Sequence, residues 1–576
     1  MIGYKFFQAQ FVLVFFIIVS YLGLIFIPVD YDSIGMLSDI VYHDFAFYTL
    51  DIEIQPTVYT FFKATIAIGL VGFAFIIAYA FITRNGIHQQ LVSLFHECIL
   101  IAGKIFNPIK RLSLNEKLLA GGLFIGIIGT RLWFLFFAPF HPDEIATYDF
   151  FVRNGPHAVA GYYPIPNNHI FFSFVAWVFS LISENMHFVL RLPVFLIGLF
   201  GSVLLFIFLL RYAGFLVATL AIFSFFFSEM GIYYSFAGRG YFFLMLFSAF
   251  SFFFVLELIQ HSEHRRVCWF VFIVSSILGF YTVPVFLYSA VSLGIVVMFY
   301  VLRQKNYALL KELTTSVAII GFAVIILYMP VILISGLKSL VGNPYVISVS
   351  FIEYLQSFPG YFQHIQWELI GRKHGFPIFL ATVFIAVFLL LRKELSPGSH
   401  KLLFSALVMV ILSYVLMTIQ TVFPPGRALF YKSFYFFVAF SIVLVFFLEI
   451  LKVKTLYKRI IVCVIVLSYG FYNLNLKLSQ LSKDIQSEEK LKNAYALVME
   501  HEPEKVFIKS VFHEFYFLHY SSHGNKDVQL DGDIDENLAY DFILIEPGMD
   551  FPMEYSPKEY EIILENEQIR IFKRKS

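Results

Sequence analysis

The sequence predicts a polytopic α-helical membrane protein of about 13 transmembrane helices, with a small soluble α/β domain at its C-terminal end. Three observations predict it. The 576 residues are 59% hydrophobic and only 14% charged, which is far from the balance of a soluble domain. Nearly charge-free runs long enough to cross a bilayer, about 20 residues each, recur almost to residue 475. Beyond Leu474 the chain turns charged and polar, with short strand-like runs such as Val506-Phe507-Ile508 and Phe542-Ile543-Leu544-Ile545.

In chain order, spans fall near 6–27, 58–83, 118–140, 190–211, 213–230, 241–260, 267–283, 284–302, 315–336, 376–392, 402–422, 429–451 and 457–473. The apolar run from Val267 to Leu302 is too long for one crossing, and Pro284 divides it into two. Lys5 precedes the first run, which lacks a small-residue cleavage site and therefore reads as a retained anchor. The chain thus divides into an N-terminal hairpin and linker (1–117), a membrane region (118–473) and a soluble domain (474–576). A net charge of +1 without a basic tract points to no nucleic-acid partner. The scattered Cys98, Cys268 and Cys463 suggest neither a disulfide framework nor a zinc site.

Orientation follows from the loop charges. Segment 84–117 carries Arg84, Lys104, Lys110, Arg111 and Lys117, whereas segment 30–55 holds six acids and no Lys or Arg. Positive loops stay on the cytoplasmic side, so the first lies inside the plasma (inner) membrane and the second outside. The apolar segment from His169 to Ile182 is the main topological choice. If it crosses, the basic loops at Arg265-Arg266, Arg303 to Lys305, Arg392-Lys393 and Lys452 to Arg459 all fall outside; if it lies in the interface, all fall inside. The interfacial reading then brings three polar clusters to the outer face: His141 to Glu144, Glu229 to Gly240, and Phe423 to Arg427. The same parity hangs the C-terminal domain outside and makes Leu337 to Gly375, with Pro344 and Pro359, a second large outer loop.

Adjacent carboxylates Asp143 and Glu144 at the mouth of a span are hard to explain by packing, because carboxylates are costly in hydrocarbon. The ordered set of Asp143-Glu144, Pro166-Asn167-Asn168-His169, Arg191-Leu192-Pro193 and Arg239-Gly240-Tyr241 resembles the GT-C superfamily, nearest its protein O-mannosyltransferase and lipid A aminoarabinose transferase branch. The similarity covers roughly Leu118 to Leu451, with the first two spans as an addition. The resemblance implies a glycosyltransferase that moves a sugar from a polyprenyl-phosphate donor to a lipid, glycan or protein acceptor on the outer face. It carries the catalytic acid onto Asp143, with Glu144 as its neighbour. Some relatives use an acid in the second outer loop, where this chain offers Glu229.

An inverting displacement needs a base for the acceptor proton, and a carboxylate at a low-dielectric wall is a stronger base than one in water. The leaving phosphate needs cationic donors. Gly-flanked Arg239 and Arg427 suit it because a guanidinium fork binds two oxygens. Arg131 and Lys432, inside apolar runs, are candidate cavity-lining cations. Asn167 is expected to cap the interfacial helix, and Asn168 and His169 to contact substrate. Tyr162, Tyr163, Tyr233 and Tyr234 could stack on sugar faces. A divalent metal would take His141, Glu144 and His169 as ligands. The rival classes are a transporter or lipid flippase, marked by midplane ionisable residues in matched halves, and a non-catalytic scaffold.

Overall fold

A computed structural model of the chain describes residues 3–39, 54–164, 166–260, 264–342, 346–392, 394–524, 528–532 and 538–575. Most of the acidic segment 30–55, together with Pro344 and Lys393, lies outside these residues. Among the described residues, 13 helices are long and apolar enough to cross a membrane. Two of them are not simple crossings. The helix Leu192–Phe226 breaks at Gly214, whose φ of 81° and ψ of 178° only glycine adopts cheaply. The Phe206 and Phe223 rings lie 6.0 Å apart, whereas 17 residues of straight helix would separate them by about 25 Å. The chain therefore doubles back at Gly214 into two antiparallel passes, as the two expected spans 190–211 and 213–230 require.

The helix Gly86–Lys104 qualifies by length and composition but does not cross. Gly86 abuts the Lys5 side chain beside the start of the first span, and Glu97 pairs with Arg266 at 2.5 Å. It runs along the basic end of the bundle as the linker the charge pattern predicts. Further ion pairs gather at that end: Arg265 to Glu312, and Arg459 to Glu116 at 2.7 Å. The helix Ile170–Ser180 has 11 residues, about 16 Å of rise against a hydrocarbon core of about 30 Å. Both its ends meet the opposite end of the bundle, His169 through the Gly240 N–H and Glu184 through the Tyr148 hydroxyl. It is too short to cross and leaves the basic loops together at one end of the bundle.

The run 267–302 splits into helices Arg265–Thr282 and Phe286–Gln304 around Pro284. The last membrane helix departs from the compositional boundary. It runs unbroken from Thr455 to Met499, so the shift at Leu474 marks where one helix leaves the apolar layer and not where a new fold begins. Its far end carries a five-stranded sheet of β1 (Lys505–Ile508), β2 (Gln529–Asp531), β3 (Phe542–Ile545), β4 (Tyr560–Glu565) and β5 (Arg570–Arg574), ordered β2-β1-β3-β5-β4. The first three strands are parallel and the β3–β5 and β4–β5 pairs antiparallel. Val506, Ile508, Phe542 and Leu544 bury one face against Leu491, Ala494 and Val498 of the long helix and Phe517 of the helix Val511–Gly524. Alternation along the strands puts Phe507, Ile543 and Ile545 on the other face with Tyr540 and Tyr560.

This arrangement sets a labelling pattern. With Cys98, Cys268 and Cys463 replaced by Ser, a single Cys at exposed Ser556 reacts with an impermeant maleimide in intact cells. One at exposed Gln304 reacts only after permeabilisation. The reverse pattern would turn the molecule over.

Candidate active site

The end of the bundle that carries the C-terminal domain gathers the three expected polar clusters. The span Leu114–Phe137 ends at Ala138, and Pro142 opens the short helix Pro142–Ala146 at its first position, where its missing N–H costs nothing. His141 caps that helix, its Nδ1 accepting the Asp143 N–H at 3.2 Å, while Glu144 accepts the His141 N–H at 3.0 Å. Adjacent positions on a helical turn point about 100° apart. Asp143 and Glu144 therefore face different surroundings.

Glu144 is fully buried and completely committed. Arg191 grips it with a two-point fork, Nε to Oε1 at 2.9 Å and Nη2 to Oε2 at 2.8 Å, and the Gly238 N–H donates to Oε1 at 2.7 Å. The guanidinium also donates to the carbonyls of Leu135, Ala138 and Pro139 and lies 4.2 Å from the Phe140 ring centroid. Burial pushes the Glu144 carboxyl up, and Arg191 with the two backbone N–H groups overrides it and holds the group below the usual range. The expectation of Glu144 as a catalytic partner or metal ligand is corrected accordingly, since its oxygens have no capacity left. His169 is also spoken for, its Nδ1 accepting the Gly240 N–H at 2.8 Å. Among the described residues no three His, Cys, Asp or Glu side chains are grouped to hold a metal ion.

Asp143 is different. Its side chain is 26% exposed, and Oδ2 lies 3.4 Å from Arg239 Nη2. Burial raises the carboxyl, but Arg239, His141 and Arg427 together pull it below the ordinary range. The sequence-based picture of a base strengthened by a low-dielectric wall is thereby corrected, because cations outweigh the wall. Arg239 is 4% exposed and also donates to the Asp143 carbonyl at 2.9 Å and the Thr147 hydroxyl at 3.2 Å, while its buried Nε has no partner. Thr147 opens a π-helical turn, and a second such turn delivers Arg191. The glycines flanking Arg239 are explained by close approach: a Cβ on Gly238 would meet Leu190 at 2.6 Å, and one on Gly240 would meet His169 at 2.7 Å. The Tyr241 hydroxyl sits beside both Arg239 and Arg427 and favours their charged forms. Its ring lies 4.5 Å from His169 and 5.1 Å from Tyr234.

Other expected residues take different places. Asn167 does not cap the interfacial helix but donates to the Asp143 carbonyl at 3.2 Å. Asn168 is buried and spends its amide on the carbonyls of Val159 and Tyr162, so it shapes the loop and does not face substrate. Tyr162 and Tyr163 are buried, and Tyr234 is half-buried. Arg131 donates to Ser235 and to the carbonyls of Phe226 and Gly231, pinning the second outer loop from below. Lys432 is buried with its Nζ 3.0 Å from the Tyr414 ring centroid. Glu229, the expected second acid, pairs with Arg372 at 2.8 Å and Lys477 at 3.4 Å. Sequence reasoning missed Glu368, which lies against Gly426 beside Arg427 and pairs with His364 at 3.0 Å. Only its spacing of four from His364 on a helix was visible in the chain.

A cavity of about 1210 Å³ opens next to the cluster and reaches His141, Pro142, Tyr233 and Tyr234. The helix Val511–Gly524 closes one side. Tyr516 donates its hydroxyl to the Phe140 carbonyl at 2.7 Å, and His519 meets Asp149 at 2.9 Å.

No family model matches the sequence, and no curated protein matches it. Among solved structures the chain is similar to ArnT from Cupriavidus metallidurans in the apo state, at 13% identity over 79% of this chain and 98% of that one, with a TM-score of 0.47. The same protein bound to undecaprenyl phosphate aligns at 11% identity over the same shares, with a TM-score of 0.39. Arabinosyltransferase EmbB from Mycobacterium smegmatis aligns at 12% identity over 62% of this chain and 34% of that one, with a TM-score of 0.37.

Proposed function

We propose that this chain is a membrane glycosyltransferase that moves a sugar from a polyprenyl-phosphate donor to an acceptor on the outer face of the membrane, with inversion at the anomeric carbon. The observation that carries the reading is a partly exposed carboxylate, Asp143, set against a buried guanidinium whose Nε has no partner, Arg239, with Arg427 beside them. A buried unpartnered donor is costly and rare in a finished core. An anion arriving from the bilayer would satisfy it.

In this reading the donor phosphate lies on Arg239 and Arg427. An acceptor hydroxyl attacks the anomeric carbon, its proton passes to Asp143, and the carbon–oxygen bond to phosphate breaks with its electron pair leaving on the lipid phosphate. Two of the three groups that lower the Asp143 carboxyl in the resting site, Arg239 and Arg427, are neutralised by the bound phosphate. Donor binding thus restores the proton affinity of the base when it is needed, and the charge left on the leaving phosphate is met by fixed donors. A transporter would need ionisable residues near the midplane of matched halves. Here the carboxylate and both arginines sit at span ends.

Arg427 gives the clean test, because Arg239 also holds the Asp143 backbone. Removing a charged hydrogen bond to phosphate costs about 1.5 to 3 kcal/mol, so Arg427→Ala should lose about 10-fold to 150-fold in transfer from a polyprenyl-phosphate sugar. Arg427→Lys should recover part of it, keeping charge and losing the fork. Wild-type rates in both variants, or turnover supported by nucleotide sugar alone, would end the phosphate-clamp reading.

A further inference from the structure

We propose that the cavity between the C-terminal domain and the membrane-side loops is the acceptor site, and that it takes a hydroxyl-rich acceptor without net negative charge from the aqueous side. The proposal rests on the transfer reading above, since it supplies that reaction's second substrate. The cavity lining includes His141, Pro142, Tyr233 and Tyr234, and Asp143 follows Pro142 directly in the chain. A molecule seated there lies against the turn that carries the base.

The walls decide the chemistry. Trp367 of the helix Phe351–Ile370 and Phe512 and Tyr516 of the helix Val511–Gly524 all line the volume, and flat apolar rings suit the C–H faces of a sugar or polyol. Besides Glu229, five carboxylates line the space: Glu368, Asp484, Glu488, Glu546 and Glu567, of which Glu368 meets His364, Glu488 meets Lys492 and Glu567 meets Lys490. Lining cations Arg372 and Lys477 are turned onto Glu229, and Lys373 is the remaining lining Lys or Arg, with no ion pair among the described residues. Ionised carboxylates only accept hydrogen bonds, so they select ligands rich in O–H or N–H and repel anions. His513 adds an independent sign. It lines the cavity at 5% exposure, and its Nδ1 is buried without a partner. A polar ligand filling the cavity would satisfy it. The volume, about 1210 Å³, is at or above the roughly 300–1,000 Å³ of ordinary ligand pockets and leaves room beyond one sugar unit. Because Glu546, Gln568 and Phe512 belong to the soluble domain, the opening lies outside the apolar layer.

The test uses the full-length protein in membranes of the cells that make it, with radiolabelled polyprenyl-phosphate sugar recovered from those membranes. Two readouts are followed: transfer to the endogenous acceptor, and release of free sugar to water. Trp367→Ala and Phe512→Ala should each lower transfer at limiting acceptor by about 10-fold, as truncation of a central aromatic contact does, with release to water unchanged. The labelled product should behave as neutral or cationic on ion exchange. Unchanged transfer in both variants, a parallel fall in release, or an anionic product would overturn the proposal. If the wild type neither transfers nor releases sugar, the transfer reading itself falls, which is a distinct outcome.

Discussion

Asp143→Asn should abolish sugar transfer while leaving expression and thermal unfolding in detergent near wild type. Removing a general base costs about 100-fold to 10,000-fold, and the amide keeps the shape of a side chain that is 26% exposed. The fold has little stake in the charge, because the backbone carbonyl of Asp143, not the carboxylate, takes the short hydrogen bond from Arg239. The pH dependence follows with its sign. Arg239, His141 and Arg427 hold the carboxyl below the ordinary aspartate range, so the base stays ionised as pH falls through that range, and the acidic limb of kcat/KM for free enzyme lies below it. Arg427→Ala should move that limb upward. An active Asp143→Asn enzyme, or a limb that stays in place when Arg427 is removed, would take Asp143 out of the mechanism and direct attention to Glu368.

Arg191→Met should have the opposite signature, a loss of folding and not of chemistry alone. It strands a carboxylate that is fully buried and frees three carbonyls at once. Breaking a buried ion pair from one side costs about 3 to 5 kcal/mol. Thermal unfolding and monodisperse yield in detergent should both drop sharply. Glu144→Met should do the same, and the double variant should cost less than the two singles added together, because no charge is then left alone in the core. Additive costs would mean that the pair is not a coupled unit. The folded Glu144 carboxyl is lowered. Its contribution is therefore present above the unfolded value and is lost as pH falls through the lowered folded one.

The two neighbouring carboxylates mark where sequence reading stops. That the acids at this span mouth are candidates was legible, because charge at an apolar boundary has few bland explanations. Which of the two is left free to act was not. Glu144 is taken by Arg191, 47 positions further along the chain, and no periodicity announces such a pairing. Asn167 and Asn168 misled for a related reason. Before an apolar run Asn167 looks like a cap and Asn168 like a substrate contact, but their amides go to the carbonyls of Asp143, Val159 and Tyr162. Glu368 was passed over because its site is made only when the helix Phe351–Ile370 folds over Gly426.

By itself the sequence determined what local composition and charge can determine: the succession of spans, the break at Pro284, the sharing of one end by the basic loops, the α/β character of the C-terminal part, and the meeting of Asp143, Arg239 and Arg427 at the other end. Those properties follow from transfer of side chains between water and hydrocarbon, which acts residue by residue. Only the tertiary structure decided that the break expected between spans 190–211 and 213–230 is made by one glycine conformation at Gly214, that the long helix Thr455–Met499 carries the soluble domain out to the loop that holds Asp143, and that the domain walls a cavity lined by His141 and Pro142. Each depends on which surfaces meet across more than a hundred residues or on one backbone angle. Packing and hydrogen-bond geometry settle such matters in three dimensions, and they leave no regular trace along the chain.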